Sequence, residues 1–161
     1  MAMRITILAV GKIKEKFFRE ALEEYGKRLS RYCRLEIIEV LDEKTPDHAG
    51  EALKAQILQK EAERILGKIS GDAYVITLEI LGKELDSVSF SGMLQQLGVT
   101  GKSQIVFVIG GSLGLHESVS RRADRKISFS QMTFPHQLMR VILCEQIYRG
   151  FRIMNREPYH K

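Results

Sequence analysis

A chain of 161 residues with 44% hydrophobic and 28% charged residues suits one soluble globular domain with a core of its own. Its formal charge of +5 tilts the choice of partner toward polyanions without singling out nucleic acid. No apolar run approaches the ~20 residues of a bilayer crossing, and His48, His116, His136 and His160 share no ligand spacing with cysteines or carboxylates, so neither a membrane span nor a metal site is expected.

The opening MAMRITILAV has one Arg and no small-residue cleavage site, so it reads as a first strand, Arg4 to Val10, rather than a signal peptide. Phe17, Phe18, Ala21, Leu22, Tyr25 and Leu29 then recur at helical spacing. Leu35 to Leu41 is a second strand. Leu53, Ile57, Leu58, Ala62, Ile65 and Ile69 predict a helix over 47–66, stopped at Gly67. Ala73 to Ile80 is a third strand, and Ser87 or Ser89 is placed to cap a short helix carrying Phe90, Met93, Leu94 and Leu97. Ile105 to Ile109 is continuously apolar, as expected of a central parallel strand. A short helix follows around His116 to Ala123, then a strand near Ile127 to Met132. Pro135 is placed to begin a last helix through about Phe151. Strands alternating with helices predict a single α/β domain over 1–161, layered on a parallel sheet, with no appended RNA-binding module. Cys33 and Cys144 lie far apart in or beside apolar segments, and reduced thiols in a cytoplasmic protein are the plain reading.

The glycines of VFVIGGSLGL, Gly110, Gly111 and Gly114, follow the predicted central strand. A phosphate loop would need Gly-Lys-Ser/Thr, and a dinucleotide fingerprint would need G-x-G-x-x-G after a first strand; neither is present. Ligands of open α/β sheets do sit at the carboxyl ends of such strands. A tight turn that only needs bare backbone is an equal alternative. Residues 128–140, SFSQMTFPHQLMR, bring a strand end, a Pro-His and a helix start together, and His136 reads as a helix cap or a structural hydrogen bond at least as readily as a catalytic residue. The last helix is apolar almost all round, which places it in a core or an interface. Within it Glu145 and Arg149 are spaced i, i+4 for an ion pair, either structural or substrate-orienting. The terminal Pro158-Tyr159-His160-Lys161 is rich in chemical groups, though a chain end is ordinarily solvated.

Taken together, VGKIKEKF, TLEILGKELDS, FVIGGSLGL, SFSQMTFPHQLMRVILCEQIYRGFRI and the closing EPYHK resemble the RlmH (YbeA-like) family over essentially the whole chain. These are small SPOUT methyltransferases acting on a pseudouridine of large-subunit (23S) ribosomal RNA. The resemblance implies an α/β fold with a C-terminal trefoil knot, S-adenosylmethionine as methyl donor, a homodimer, and transfer to N3 of a pseudouridine on the assembled ribosome. It places cofactor contacts on Leu78, Gly110 and the run Phe129, Ser130, Gln131, Met132, Thr133 and Phe134. Arg149, His160 and Tyr159 are expected around the acceptor base, with Glu145 orienting Arg149. Arg149 would stabilise negative charge or hold a phosphate, His160 would accept a proton or contact RNA, and Tyr159 would stack on a base. Two rivals differ in their ligands: a flavodoxin-like or Rossmann-like enzyme would bind flavin or dinucleotide, and a ribosome-binding factor would associate without transferring methyl.

Overall fold

The chain is described over residues 3–161 by a computed structural model. Its elements are β1 (Met3–Val10), α1 (Lys16–Leu29), β2 (Cys33–Val40), α2 (Glu51–Leu66), β3 (Tyr74–Glu84), α3 (Ser87–Val99), β4 (Gln104–Ile109), α4 (Glu117–Arg122), β5 (Arg125–Ser128) and α5 (His136–Met154). The strands form one sheet in the order β2-β1-β4-β3-β5, and all four pairings are parallel. The continuously apolar run after residue 104 is indeed the middle strand, buried on both faces.

Side chains alternate across the sheet and divide its core in two. Ile5, Ile7, Ile105 and Phe107 face one layer, where they meet Leu22 and Leu29 of α1, Phe90 and Leu94 of α3, and Leu143 and Ile147 of α5. Leu8, Val10, Val106 and Val108 face the other, against Ala62 and Ile65 of α2 and Val119 of α4. Each fully buried large aliphatic contributes roughly 1.5–3 kcal/mol, so the apolar pattern of the strands alone favours this layering strongly. The all-round apolar α5 is a core helix on one side, with Val141, Ile142 and Tyr148 left half-buried. Cys33 and Cys144 are free and buried in this core, and burial pushes both thiols up to about 12, so they remain protonated and inert. Among the described residues no helix is long and apolar enough to cross a membrane.

Several boundaries differ from the sequence-based expectations for local chemical reasons. The second helix begins at Glu51 rather than 47, because the 47–50 stretch turns and Gly50 stands at the cap position. The third helix is capped by Asp86, not by Ser87 or Ser89. Its carboxylate accepts from the Ser89 N–H at 2.7 Å, and Ser87 instead donates to Gln146 Oε1 at 2.7 Å. β5 stops at Ser128, so Phe129 to Phe134 form a loop, not a strand end. That loop turns on Ser130, whose carbonyl accepts from Ser128 Oγ and whose hydroxyl accepts from the Met132 N–H.

β3 is longer than expected and bends around β5. Leu78 and Lys83 both pair with Ile127, so the residues between them loop out of register. Gly82 crosses the Ile127 backbone so closely that an added Cβ would lie 2.6 Å from its carbonyl carbon. The fold therefore pulls the β3, β4 and β5 carboxyl ends into one corner.

Candidate active site at the carboxyl edge of the sheet

That corner holds a cleft of about 110 Å³, open on one side. Leu78, Gly110, Phe129, Ser130, Met132, Thr133 and Phe134 line it, bringing together all the expected cofactor residues except Gln131, which is exposed. Glu79 and His136 are its charged or titratable neighbours. Glu79 accepts from Thr77 Oγ1 at 2.6 Å and from Ser120 Oγ at 2.7 Å, which holds a carboxylate at the cleft wall. A second cavity, lined by Asp86, Ser87, Phe90, Ile142 and Gln146, shares Ser128, Phe129 and Phe134 with the first. No Lys or Arg side chain lines either cavity, in a chain that has 25 of them.

The glycine turn has a clear steric basis. A Cβ on Gly110 would lie 2.5 Å from the Gly114 carbonyl oxygen, so the bare backbone there is demanded by the turn itself and not by a ligand alone. Gly114 takes φ +83°, which favours glycine, and its N–H donates to the Gly111 carbonyl at 3.1 Å. Gly111 packs against Val10 and the buried carboxyl of Glu61. Glu61 Oε2 accepts from the Glu43 N–H at 2.9 Å, whereas Oε1 has no partner. Burial pushes this carboxyl above its ordinary range, with the Glu43 N–H opposing the shift.

The native state thus holds the Glu61 proton more tightly than the unfolded chain does. Its contribution is fully present below the ordinary carboxylate range and is lost as pH rises through the raised native value. Glu61→Gln is therefore expected to gain thermal stability over the parent chain at pH 8 and to match it at pH 4. Melting curves at the two pH values check this, and a variant less stable at both would contradict it.

His136 caps no helix. Pro135 occupies the cap position of α5, and the imidazole packs against Gly11 and the cleft. Behind it lies Arg140, fully buried. Arg140 Nη1 donates to Glu39 Oε2 at 2.6 Å, and Nη2 donates to the Gly11 carbonyl at 2.7 Å and to His136 Nδ1 at 3.3 Å. A buried guanidinium is tolerable only when paired in this way. Glu39 Oε2 also accepts from the Ile13 N–H, tying the loop after β1 to β2 and α5.

The four residues expected at the acceptor meet on the outer side of α5. Arg149 donates to Glu145 from Nε at 3.2 Å and from Nη2 at 2.9 Å, a bidentate pair. Tyr159 donates to Glu145 Oε2 at 2.7 Å, and its ring lies 4.7 Å from the Arg149 guanidinium. Arg149 Nη1 donates to His160 Nδ1 at 3.0 Å. The terminal segment is therefore docked rather than solvated. It is secured upstream by Arg152, which donates to Glu157 Oε2 at 2.7 Å and to the Pro158 carbonyl at 3.0 Å. The four do not line the cleft. Gln146, which lines the adjoining cavity, links the two regions by donating to Glu145 Oε1.

A family model described as "Predicted SPOUT methyltransferase" matches residues 3–160, nearly the whole chain. The chain belongs to the SPOUT methyltransferase family. A relative from Methanococcus maripaludis is 61% identical over 159 residues, covering 99% of this chain and 100% of its own. A ribosomal RNA large subunit methyltransferase H from Clostridium beijerinckii is 58% identical over the same length and coverage. Among solved structures, a probable methylase family protein from Haemophilus influenzae Rd KW20 is similar in fold, with TM-score 0.53 and 15% identity, covering 99% of this chain and 70% of the other. Among the described residues no cluster of His, Cys, Asp and Glu is arranged to hold a metal ion.

Proposed function

We propose that this chain is an S-adenosylmethionine-dependent methyltransferase acting at N3 of a pseudouridine in large-subunit ribosomal RNA, as a homodimer on the assembled ribosome. The observation that carries the cofactor is the cleft itself, apolar, edged by Glu79 and free of Lys and Arg. A wall without Lys or Arg sets no positive charge against a sulfonium. The names of the large-subunit methyltransferase relatives support the RNA class. The bound donor supplies a methyl group already activated on sulfur.

The chain's own part concerns the acceptor. An imide nitrogen must lose its proton before it attacks, by a base or by a cation that favours its anion. Glu145 accepts from Arg149, Tyr159 and Gln146, so its lone pairs are engaged. Tyr159 is held as a phenol, its hydroxyl pushed up to about 12 by burial and by Glu145. His160 accepts from Arg149 at Nδ1, which leaves its proton on Nε2 as a donor. No free base remains in the cluster. Arg149 is the group that acts on the acceptor, stabilising the imide anion, with His160 Nε2–H available to an acceptor carbonyl and the proton passing to solvent.

Because the cluster lies outside the cleft of its own chain, a second subunit that brings RNA or the tail to the cleft belongs to this proposal. Exposed apolar side chains in the cleft lining, Ile80 and Met132, and the exposed Leu81 next in the chain support such a contact. Calorimetry tests the cofactor directly: heat of binding is expected with S-adenosylmethionine and none with flavin mononucleotide or NAD. Binding of either of those, and not of S-adenosylmethionine, would overturn it.

A further inference from the structure

His136 sits where the cleft, the loop after β1 and the buried Arg140 meet, and neither the fold nor the acceptor chemistry has used it. Its two ring nitrogens are in unlike surroundings. Nδ1 faces the Arg140 Nη2 at 3.3 Å. A guanidinium has donors and no acceptor, so Nδ1 must present a lone pair, and the ring proton of the neutral imidazole is on Nε2. Nε2 has no protein partner among the described hydrogen bonds, and the half-buried ring lines the cleft. Gly11, at φ +97°, admits the ring: a Cβ there would stand 2.9 Å from His136 Cε1.

We propose that His136 is a cofactor-binding residue, a neutral Nε2–H donor in the cleft wall held in that tautomer by Arg140, and that its neutrality keeps the wall free of positive charge for a sulfonium ligand. The inference rests on the cofactor proposed above. Arg140 is the positioning residue, and its own charge is matched by Glu39 at 2.6 Å. The groups that face His136 come from four places. Arg140 on α5 and Lys14 before α1 oppose its protonation, and Asp42 after β2 and Glu39 on β2 favour it. Burial is the largest influence, and with Arg140 it lowers the imidazole below its ordinary value near 6.5. The ring is then neutral at pH 7 and gains a proton, and a repulsive charge, only in more acid solution.

The test has two parts. Nitrogen-resolved imidazole spectra of the unliganded protein at pH 7 are expected to show the His136 proton on Nε2 and a bare Nδ1. The opposite tautomer, or an imidazolium, would overturn the inference whatever the protein binds. Affinities for S-adenosylmethionine and S-adenosylhomocysteine are then measured from pH 8 to pH 5. The two share their adenosine, amino and carboxylate groups and differ in the sulfonium charge. S-adenosylmethionine is expected to lose about ten-fold more affinity than the uncharged product on acidification. His136→Gln, whose carbonyl can accept from Arg140 and whose amide can donate but cannot take up a proton, is expected to lose that differential. His136→Leu should bind both ligands about ten-fold more weakly at every pH. Equal pH dependence for the two ligands in the parent protein, or a differential that persists in His136→Gln, would refute the role. If the parent binds neither ligand at any pH, the proposed cofactor itself fails, and it does so separately from the tautomer.

Discussion

Deleting Pro158 to Lys161 is expected to lower methyl transfer by about 100-fold or more while leaving S-adenosylmethionine affinity within about two-fold of the full chain. The deletion removes the Tyr159 hydroxyl from Glu145, the Tyr159 ring from Arg149 and the His160 acceptor from Arg149 Nη1. Arg149 keeps its charge and its bidentate pair with Glu145, but the groups that fix its outer face are gone. None of the deleted residues lines the proposed cofactor cleft of its own chain, so binding and transfer should separate. Arg149→Lys should resemble the deletion, because a lysine keeps the charge and cannot reproduce the planar fork on Glu145. Single-turnover transfer, with cofactor affinity measured in parallel, makes the comparison. Full activity without the tail would remove the cluster from the mechanism.

Gly110→Ala is expected to destabilise the protein by about 3 kcal/mol or more, before any specific loss of cofactor binding. The new Cβ would meet a carbonyl oxygen at 2.5 Å and a carbonyl carbon at 2.7 Å, both backbone atoms of Gly114, rather than a side chain that can swing away. Relief requires opening the Gly110–Gly114 turn that walls the cleft. Chemical denaturation of the variant measures the effect. A variant of parental stability that has lost only S-adenosylmethionine binding would show that the bare backbone serves the ligand instead of the turn.

The fold was legible where burial dictated sequence. Residues 105–109 had to be a central parallel strand because nothing polar interrupts them. Helices 16–29 and 136–154 follow from apolar spacing. The Glu145–Arg149 pair was visible because its partners are one helical turn apart, and its apolar setting marked it as more than surface charge. Arg140, in the same apolar helix, carries as strong a signal, but its one neighbour at helical spacing, His136, is not its charge partner. Glu39 lies 101 residues away, a distance only the folded chain closes. Glu61 was hidden for a related reason, since an acidic residue in a charged helix looks solvated until the glycine turn covers it. The first part of the loop, 129–132, read as strand because the polar-apolar pattern continues past Ser128, and its departure from the sheet depends on Ser130 hydrogen bonds that this pattern does not encode. The docked tail was illegible because chain ends lack periodicity, and Arg152, Glu157 and Glu145 hold it through side chains.

The most direct measurement incubates the purified protein with S-adenosylmethionine carrying a labelled methyl group and with ribosomes that lack the modification, alongside protein-free large-subunit RNA. The RNA is then digested to nucleosides for mass spectrometry. The expected result is label on a single pseudouridine, at N3, from ribosomes and not from free RNA. Label spread equally over both substrates, found on another nucleoside, or absent from both would contradict the proposed reaction.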